Sequence, residues 1–277
     1  MIRLYASTFG EPTKWISKAV SIEVGAALRT IQREPNTLYD DTGDSISSDN
    51  SYWGELTGLY WIWKNVSFEE DDIFGFCHYN KCLEPSGIEK AFHEHADSPF
   101  WIVREPEAIV PHDYLEDIQI LRDVLKIEDI SYLEAWDALY DETGASVGGK
   151  KNCYCMQMFY TDKQSFLDYC DFLFRVLFQV REQIGDCDRP AYHKRYCAFL
   201  GERLLSVYLL RNQCEIATRE VRYNENIFFR FARKIRKSFT GGFGFFGLRK
   251  WLGKRMQKSY QSSYTKEKDE ERSEHKV

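Results

Sequence analysis

The sequence lacks the long apolar runs that would carry it across a membrane. No stretch reaches the roughly 18 consecutive apolar residues that a membrane-spanning helix needs. The N-terminal segment has no apolar run suited to a signal peptide and is typical instead of a first β-strand. We therefore expect a protein on the cytoplasmic side of the membrane.

A phosphate-binding motif is also absent. The chain contains no GxxxxGK followed by Ser or Thr. That motif cradles phosphates in P-loop nucleotidases, so this class is disfavoured.

Paired-cysteine motifs are missing too. The eight cysteines include no CxxC pair and no zinc-type framework. A reduced cysteine inside an apolar run behaves as a small hydrophobic side chain, so we expect Cys153 and Cys155 to be alternate residues of a core strand. His93 and His95 resemble a ligand pair, but no partner cluster lies near them, and we predict no metal-ligating residues.

One long segment lacks acidic residues altogether. Residues 226–266 contain 11 Lys and Arg and no Asp or Glu, whereas residues 1–225 carry 23 Lys and Arg against 38 Asp and Glu. The segment after Lys266 has mixed charge and almost no apolar content, which is typical of a disordered tail. We therefore divide the chain into an acidic α/β body (1–225), a basic aromatic extension (226–266) and a tail (267–277).

The basic extension alternates aromatic and basic residues, as in Phe228, Phe229, Arg230 and Phe231. A basic amphipathic segment of this kind is predicted to lie on an anionic membrane surface. Nucleic-acid binding uses the same residue types, but the acidic body would repel a polyanion, so we predict no nucleic-acid partner. Packing of the aromatic face on the body remains an alternative.

Apolar runs of strand length alternate with longer segments of helical period. The runs predict strands at 2–7, 73–79, 100–103, 107–111 and 153–160, and helices at 15–33, 51–65, 113–126, 131–142, 162–184 and 192–212. This alternation predicts an α/β fold with a mostly parallel sheet. Because such sheets bind ligands beyond the carboxyl ends of their strands, we expect the site in the segments that follow the strands.

Several segments together resemble the glycosyltransferase domain found in bacterial capsule, exopolysaccharide and O-antigen gene clusters, some of whose members are linked to galactofuranose transfer. They are VGAAL (24–28), DDTGDSISSDNSYWGELTGLYWIWKN (40–65), GFCHYNK (75–81), MQMFYTDKQSFLDYCDFLFRVLF (156–178) and RYCAFLGERLLSVYL (195–209). The resemblance implies a GT-A-like nucleotide-sugar-binding fold. It also implies transfer of a sugar, from UDP-galactofuranose or another UDP-hexose, to a lipid-linked glycan.

The second of these segments joins an acidic loop to an aromatic helix. The acidic residues could simply cap the helix, since negative charge stabilises a helix N-terminus. Under the resemblance the segment binds sugar instead, with polar side chains on the hydroxyl groups and an aromatic ring on the sugar face. Together with Gly25 of the first segment, the residues expected to bind donor or acceptor here are Asp41, Ser47, Asn50, Tyr52, Trp53 and Glu55.

Inverting sugar transfer needs a carboxylate that takes the proton of the acceptor hydroxyl. Enzymes with the GT-A fold often supply it from an acidic residue that opens a late helix, and Glu202 followed by Arg203 resembles that position. Glu202 is therefore our first candidate for the general base, and Asp44 is the alternative. The competing interpretation is a structural pair between Glu202 and Arg203.

The strand at 73–79 ends in His78 and Tyr79 and is followed by Asn80 and Lys81. Family members usually carry two arginines after His-Tyr, whereas many GT-A enzymes have an acidic metal-binding motif there. A basic pair suggests that side chains neutralise the donor diphosphate directly, so we expect no obligatory metal. The residues that we assign to donor or acceptor binding in this region and in the late helix are His78, Tyr79, Lys81 and Arg203.

These predictions favour an inverting glycosyltransferase bound peripherally to the inner face of the cell membrane. It would extend a lipid-linked bacterial glycan. The alternative is a non-catalytic glycan- or nucleotide-binding relative that scaffolds an assembly complex, because Asn80 and Lys81 depart from the family pattern. Lys81 keeps the positive charge but loses the bidentate fork of an arginine.

Overall fold

A mixed β-sheet forms the framework of the protein in the computed structural model, which describes residues 1–224 except 11, 12, 14 and 97. Its strands are β1 (Ile2–Thr8), β2 (Val20–Glu23), β3 (Thr37–Tyr39), β4 (Ile73–His78), β5 (Lys81–Leu83), β6 (Phe100–Arg104), β7 (Phe159–Asp162), β8 (Glu215–Arg219) and β9 (Val221–Tyr223). The predicted extension (226–266) and tail (267–277) lie outside the described residues.

The main path through the sheet is β3-β2-β1-β4-β7-β6-β8. On this path β7 runs antiparallel to both neighbours, and the other neighbouring pairs are parallel. A short antiparallel extension, β5 followed by β9, is attached to β4. The predicted α/β fold with a mostly parallel sheet is therefore confirmed.

Helices cover the sheet. Within the described residues they are α1 (Asn50–Trp53), α2 (Leu56–Asn65), α3 (Ile88–Glu94), α4 (Leu115–Glu128), α5 (Ile130–Leu139), α6 (Lys163–Ile184), α7 (Ala191–Lys194) and α8 (Tyr196–Arg211). α6 is capped by Asp162, whose carboxylate accepts a hydrogen bond from the backbone N–H of Ser165 at 2.8 Å. In the part of the chain that is described, no helix has both the length and the apolar character needed to cross a bilayer.

Alternate strand residues pack into two hydrophobic cores, one on each face of the sheet. Tyr5 and Trp101 belong to the larger core, which the long helices cover, and their neighbours Leu4 and Phe100 belong to the smaller one. This division follows from the pleat, since successive strand side chains point to opposite faces. Burying each large apolar side chain contributes roughly 1.5–3 kcal/mol, so both cores hold the strand ends in fixed positions.

The predicted helix at 15–33 is wrong. This stretch contains β2 and a 3-10 turn at Ala26–Leu28. Ile22 is fully buried in the sheet, and Gly25, with φ 65°, takes a left-handed conformation that a helix does not contain. A strand of four residues is too short for its alternation to be distinguished from helical spacing.

The helix predicted at 51–65 is two helices, α1 and α2. Gly54 separates them with φ 55° and ψ −131°, a conformation that residues with a Cβ rarely adopt. Glu55 therefore begins the second helix instead of lying inside a longer one. The helix predicted at 192–212 is likewise divided, at Arg195, into α7 and α8.

Two predicted strands differ from the structure. Residues 107–111 contribute a single bridge, between Glu107 and Cys153, in place of a strand. Of the strand predicted at 153–160, only Phe159 and Tyr160 belong to β7. The residues before them turn, because Met156 and Gln157 have φ values of 78° and 45°.

Candidate active site

The carboxyl ends of β1, β2, β4 and β6 meet at one edge of the sheet. The turn that precedes β7 lies at the same edge, because β7 runs in the opposite direction. A set of charged side chains gathers here, close enough for their charges to shift the pKa values of one another. We name this set the charge cluster; its members are Glu55, His78, Lys81, Arg195 and Glu202.

Glu55 and Arg195 form an ion pair, with 2.7 Å between Oε2 and Nη2. Gly54 makes room for it, since a Cβ at that position would lie 2.6 Å from Nη2 of Arg195. Burial by itself would raise the pKa of the Glu55 carboxyl, but the nearby cations, Arg195 above all, hold that pKa below its ordinary value. Glu55 is thus an ionised carboxylate whose charge is neutralised by a fixed partner.

His78 is a neutral imidazole. Its Nε2 faces the carbonyl oxygen of Met156 and therefore donates to it, while Nδ1 lies 3.5 Å from Oγ of Ser7. Burial lowers the pKa of His78 to about 4, although Glu55 acts in the opposite direction. With Nε2 protonated and engaged, Nδ1 is the nitrogen that can accept a hydrogen bond.

Glu202 is held differently from Glu55. Within the described part of the chain its carboxylate has no hydrogen-bond or ion-pair partner, and the residue is partly open to solvent. Burial raises the pKa of Glu202 to about 7, and the negative charge of Glu55 adds to the shift against the opposing cations. A carboxylate whose pKa lies near neutral pH is well matched to proton transfer.

Two cations come from strands β5 and β6: Lys81, a member of the cluster, and Arg104, which lies beside Lys81. Lys81 Nζ lies 3.4 Å from Sδ of Met156, and burial lowers the pKa of this lysine while Glu202 and Glu55 raise it. Arg104, only 4% exposed, donates from Nη1 to Sγ of Cys155 at 3.2 Å and is ion-paired through Nη2 with Glu107. Its Nε has no partner within the described residues. Positive charge held in this way suits an anionic ligand.

The turn before β7 connects the members of the cluster. Met156 and Gln157 both occupy the left-handed region, which is sparsely populated for residues with a Cβ and concentrated at functional sites. The Met156 carbonyl accepts the hydrogen bond of His78, and the Gln157 amide donates to the carbonyl of Gly201 at 2.6 Å. The turn therefore links the end of β4 to the helix that carries Glu202. Because the turn contains no glycine, it could not be predicted from the amino-acid sequence.

The acidic loop after β3 is hydrogen-bonded to the turn that follows β2. The fully buried Asp40 carboxylate accepts hydrogen bonds from the backbone N–H groups of Gly25 at 2.8 Å and Ala26 at 3.0 Å, and from the Ser47 hydroxyl. A Cβ on Gly25 would lie 2.8 Å from atoms of Asn50. The predicted ligand contacts of Gly25 and Ser47 are therefore corrected: their polar groups belong to a buried structural network.

Two other predicted polar contacts in this loop are occupied by protein partners. Asn50 donates to the carbonyl of Gly54 at 2.7 Å and to the hydroxyl of Thr57 at 2.9 Å. Asp41 Oδ2 is paired with Arg33 at 2.6 Å, and its Oδ1 has no partner within the described residues. Neither α1 nor α2 has a capping side-chain hydrogen bond or an acidic residue in its first turn, so the capping interpretation is wrong for these helices.

Asp44, the alternative base, lies away from the charge cluster. Its carboxylate is exposed and accepts a hydrogen bond from the hydroxyl of Tyr60 at 2.9 Å, and the Asn65 amide nitrogen donates to its carbonyl at 2.8 Å. These partners stand five and ten residues beyond Glu55 on α2, which is roughly 7–15 Å along the helix axis. The structure therefore does not bring Asp44 to Glu202.

The two aromatic residues predicted to stack on a sugar are core residues. Trp53 is 1% exposed and packs against Phe174 and Phe178. Tyr52 is 8% exposed, and the guanidinium of Arg181 lies over its ring at 4.0 Å. Neither ring presents a face to solvent, so the stacking prediction is corrected for both.

Arg203 is a structural residue. Its guanidinium, 4% exposed, donates to the backbone carbonyls of Gly144, Phe199 and Val110 at 2.9, 3.0 and 3.1 Å. These bonds occupy the donors that a phosphate would need, so its predicted role in ligand binding is corrected. They also leave Glu202 without the pairing that the competing structural interpretation required.

Two residues at this edge remain: Tyr79, which was predicted, and Arg195, which was not. Tyr79 follows β4 and is 49% exposed, so its ring is available at the edge where the site lies. The sequence reasoning missed Arg195, which precedes Glu202 by seven residues. That spacing places both residues on one face of a helix, and it could have identified Arg195.

Two recesses lie elsewhere on the described surface. One, of 450 Å³, is bordered by Tyr114, Glu116 and Arg189. The other, of 330 Å³, lies at the opposite edge of the sheet beside Asp72 and His95. The charge cluster borders neither, so its polar groups and not its volume distinguish it.

Comparison with known proteins gives two matches. The family model described as "Domain of unknown function (DUF4422)" matches residues 13–213. The apo structure of the WbbM bifunctional glycosyltransferase is similar with a TM-score of 0.64 and 20% sequence identity, over 81% of this chain and 45% of that chain. The chain thus spans less than half the length of that structure, and the likeness shows a shared fold. No curated protein matches.

Proposed function

The chain belongs to the DUF4422 family, and we propose that it is a glycosyltransferase. It moves a sugar from a nucleotide-sugar donor to a glycan acceptor. The proposal rests on a general-base candidate that lies among fixed cations at the edge of the sheet where the strands end. The shared fold with a bifunctional glycosyltransferase supports this class of reaction. The main support for the proposal is a contrast inside the charge cluster: Glu55 is ion-paired, whereas Glu202 has no partner within the described residues.

In the proposed reaction Glu202 acts as the general base. The oxygen of the acceptor hydroxyl attacks the anomeric carbon, and the bond from that carbon to the donor phosphate oxygen breaks. The hydroxyl proton moves to the Glu202 carboxylate, and the nucleoside diphosphate leaves with the bonding electron pair. A single displacement of this kind inverts the anomeric configuration.

The charge that develops on the leaving diphosphate needs positive partners. Lys81 and Arg104 supply them from strands β5 and β6, and Arg195 reinforces the positive field, although each arginine is paired with a glutamate. The segment after β4 reads His-Tyr-Asn-Lys and holds no carboxylate there. We therefore propose that donor binding has no obligatory requirement for a divalent metal.

The finer proposal concerns the pathway. We propose UDP-galactofuranose or another UDP-hexose as donor, and a lipid-linked bacterial surface polysaccharide as acceptor, at the inner face of the cell membrane. It rests on the segment resemblance and on the basic aromatic composition of residues 226–266. Replacing Arg230, Arg233 and Lys237 together by Gln in the full chain should weaken co-sedimentation with vesicles that contain anionic lipid. Unchanged sedimentation would contradict the membrane proposal.

A panel of UDP-, GDP-, TDP- and CMP-sugars tests the proposed activity. We expect one nucleotide class to raise the melting temperature and its sugar to be slowly hydrolysed without acceptor. Failure of every nucleotide sugar to bind would reject the proposal. Binding without hydrolysis, and without transfer to any glycan, would instead favour the second candidate, a non-catalytic nucleotide- or glycan-binding relative. That candidate is favoured by the single observation that Lys81 stands where the family usually has a bidentate arginine.

A further inference from the structure

The open face of α8 continues from the charge cluster onto exposed aromatic surface. Residues 195, 199 and 202 are partly exposed, whereas their neighbours 196–198, 200, 201 and 203 are buried. Spacings of four and three residues place Arg195, Phe199 and Glu202 on one side of the helix. The helical rise separates the levels of the first and last by roughly 10 Å.

Tyr192 extends this face beyond the start of the helix. It is 56% exposed, and its ring centroid lies 5.0 Å from that of Phe199. The guanidinium of Arg195 lies 6.0 Å from the Phe199 ring centroid. The two aromatic rings therefore form a continuous apolar patch next to the carboxylate that we assign as the base.

Polar groups border the patch. The His193 ring centroid is 5.4 Å from that of Tyr192, and His193 Nδ1 lies 3.2 Å from Oδ2 of Asp113. The side chain of Asp113 is mostly exposed. A hexose ring needs both features: a ring to cover the apolar face formed by its C–H bonds, and hydrogen-bond partners around its rim. A lipid chain would need only the first.

We propose that this patch, Tyr192 with Phe199, is the acceptor subsite, and that it binds the terminal sugar of the glycan acceptor with one hydroxyl directed to Glu202. The inference rests on the proposed function, since a general base must contact the acceptor hydroxyl. It replaces Tyr52 and Trp53, which are buried, as the surface on which a sugar stacks.

Saturation-transfer NMR with methyl hexopyranosides and methyl hexofuranosides, added to the full chain together with UDP, tests the subsite. We expect saturation on the sugar C–H protons with the wild-type chain. It should fall about tenfold in Tyr192→Ala, which removes a stacking surface, and persist in Tyr192→Phe, which keeps the ring. Leu210→Ala, an exposed apolar truncation on α8, is the matched control, and sorbitol is the control for a polyol without a ring face.

Three outcomes would overturn the subsite. They are equal saturation in Tyr192→Ala and wild type, loss in Tyr192→Phe as large as in Tyr192→Ala, and no saturation of any glycoside by the wild-type chain. A separate measurement of UDP-sugar binding distinguishes this failure from failure of the proposed function. If donors bind and the glycoside signal does not depend on Tyr192, the subsite alone is rejected; if no donor binds, the function is rejected as well.

Discussion

The loop from Asp40 to Asn50 and the charge cluster both bury carboxylates, but they satisfy them in opposite ways. Asp40 receives two backbone N–H groups and a hydroxyl, all fixed in position. Glu202 is surrounded by charges and has no direct partner within the described residues. A carboxylate whose oxygens are occupied by fixed donors anchors the chain. A desolvated carboxylate without a partner can still accept a proton from a ligand.

The largest effect is expected from Glu202→Gln. We predict that transfer falls by about 10²-fold or more while the affinity for the donor is retained, because the amide keeps the volume but cannot take a proton. Steady-state transfer rates and a separate donor-binding measurement check this. Asp44→Asn is the matched control and should keep transfer within about twofold; a large loss there would break the comparison by making the acidic loop catalytic.

The pH dependence sharpens the same contrast. Glu202 can act as a base only when it is deprotonated. In the folded protein its pKa is about 7, above the ordinary 4.5, so deprotonation occurs near neutral pH. We therefore predict that the transfer rate rises up to tenfold per pH unit below about 7 and levels off above it. The same raised pKa means that the folded state binds this proton more tightly than the unfolded state does. The stability that the proton contributes is therefore lost as pH rises from 4.5 through 7. Melting of Glu202→Gln should lack this loss, and an identical pH profile in the variant would assign it to another group.

Asp40→Asn should act on the fold instead of on the chemistry. The amide offers an NH₂ group where the backbone presents N–H donors, so at least one buried donor becomes unsatisfied. We expect a loss of about 2–3 kcal/mol in the free energy of unfolding, with transfer per folded molecule unchanged. Urea denaturation measures the free energy of unfolding. Transfer rates divided by the concentration of folded protein measure the activity per folded molecule. Full stability would show that the Asp40 network is not an anchor.

A smaller effect is expected from Lys81→Met. The unbranched side chain keeps much of the packing and removes the charge, so donor affinity should fall about tenfold, or roughly 1.4 kcal/mol. Lys81→Arg, which supplies a guanidinium fork that can bind two phosphate oxygens, should equal or exceed the wild-type affinity. Calorimetric titration with the best nucleotide sugar decides; unaltered affinity in Lys81→Met would remove this residue from the donor site.

The smallest effect is expected from chelation. If side-chain cations neutralise the donor diphosphate, EDTA should change donor affinity by less than about twofold. Loss of binding on chelation and its recovery with Mn²⁺ would contradict this. The exposed carboxylates of the acidic loop would then need to be tested as metal ligands.

The fold class followed from the sequence because long elements carry strong patterns. Strand β4, buried on both faces, and helix α6, amphipathic over 22 residues, are each long enough for their pattern to be recognised. Short elements were missed: β2 has four residues, and β5 and β9 have three each. Their pairing is decided by neighbours in the sheet, which a local pattern does not contain.

Most members of the charge cluster were named from the sequence. Glu55, His78, Lys81 and Glu202 were named from strand ends and from the resemblance, and they lie together in the structure. Trp53 shows why other residues were not placed correctly, since an aromatic residue on a helix follows the same spacing whether it faces a core or a ligand. Tyr192, on a four-residue helix, has no periodicity that could have identified it.

The turn at Met156 and Gln157 also limits how the chain can vary in length. A one-residue insertion or deletion there would move every side chain of β7 to the opposite face of the sheet. It would also withdraw the Met156 carbonyl from His78 and the Gln157 amide from Gly201. Relatives that keep the same chemistry should therefore have a constant number of residues between Cys155 and Phe159.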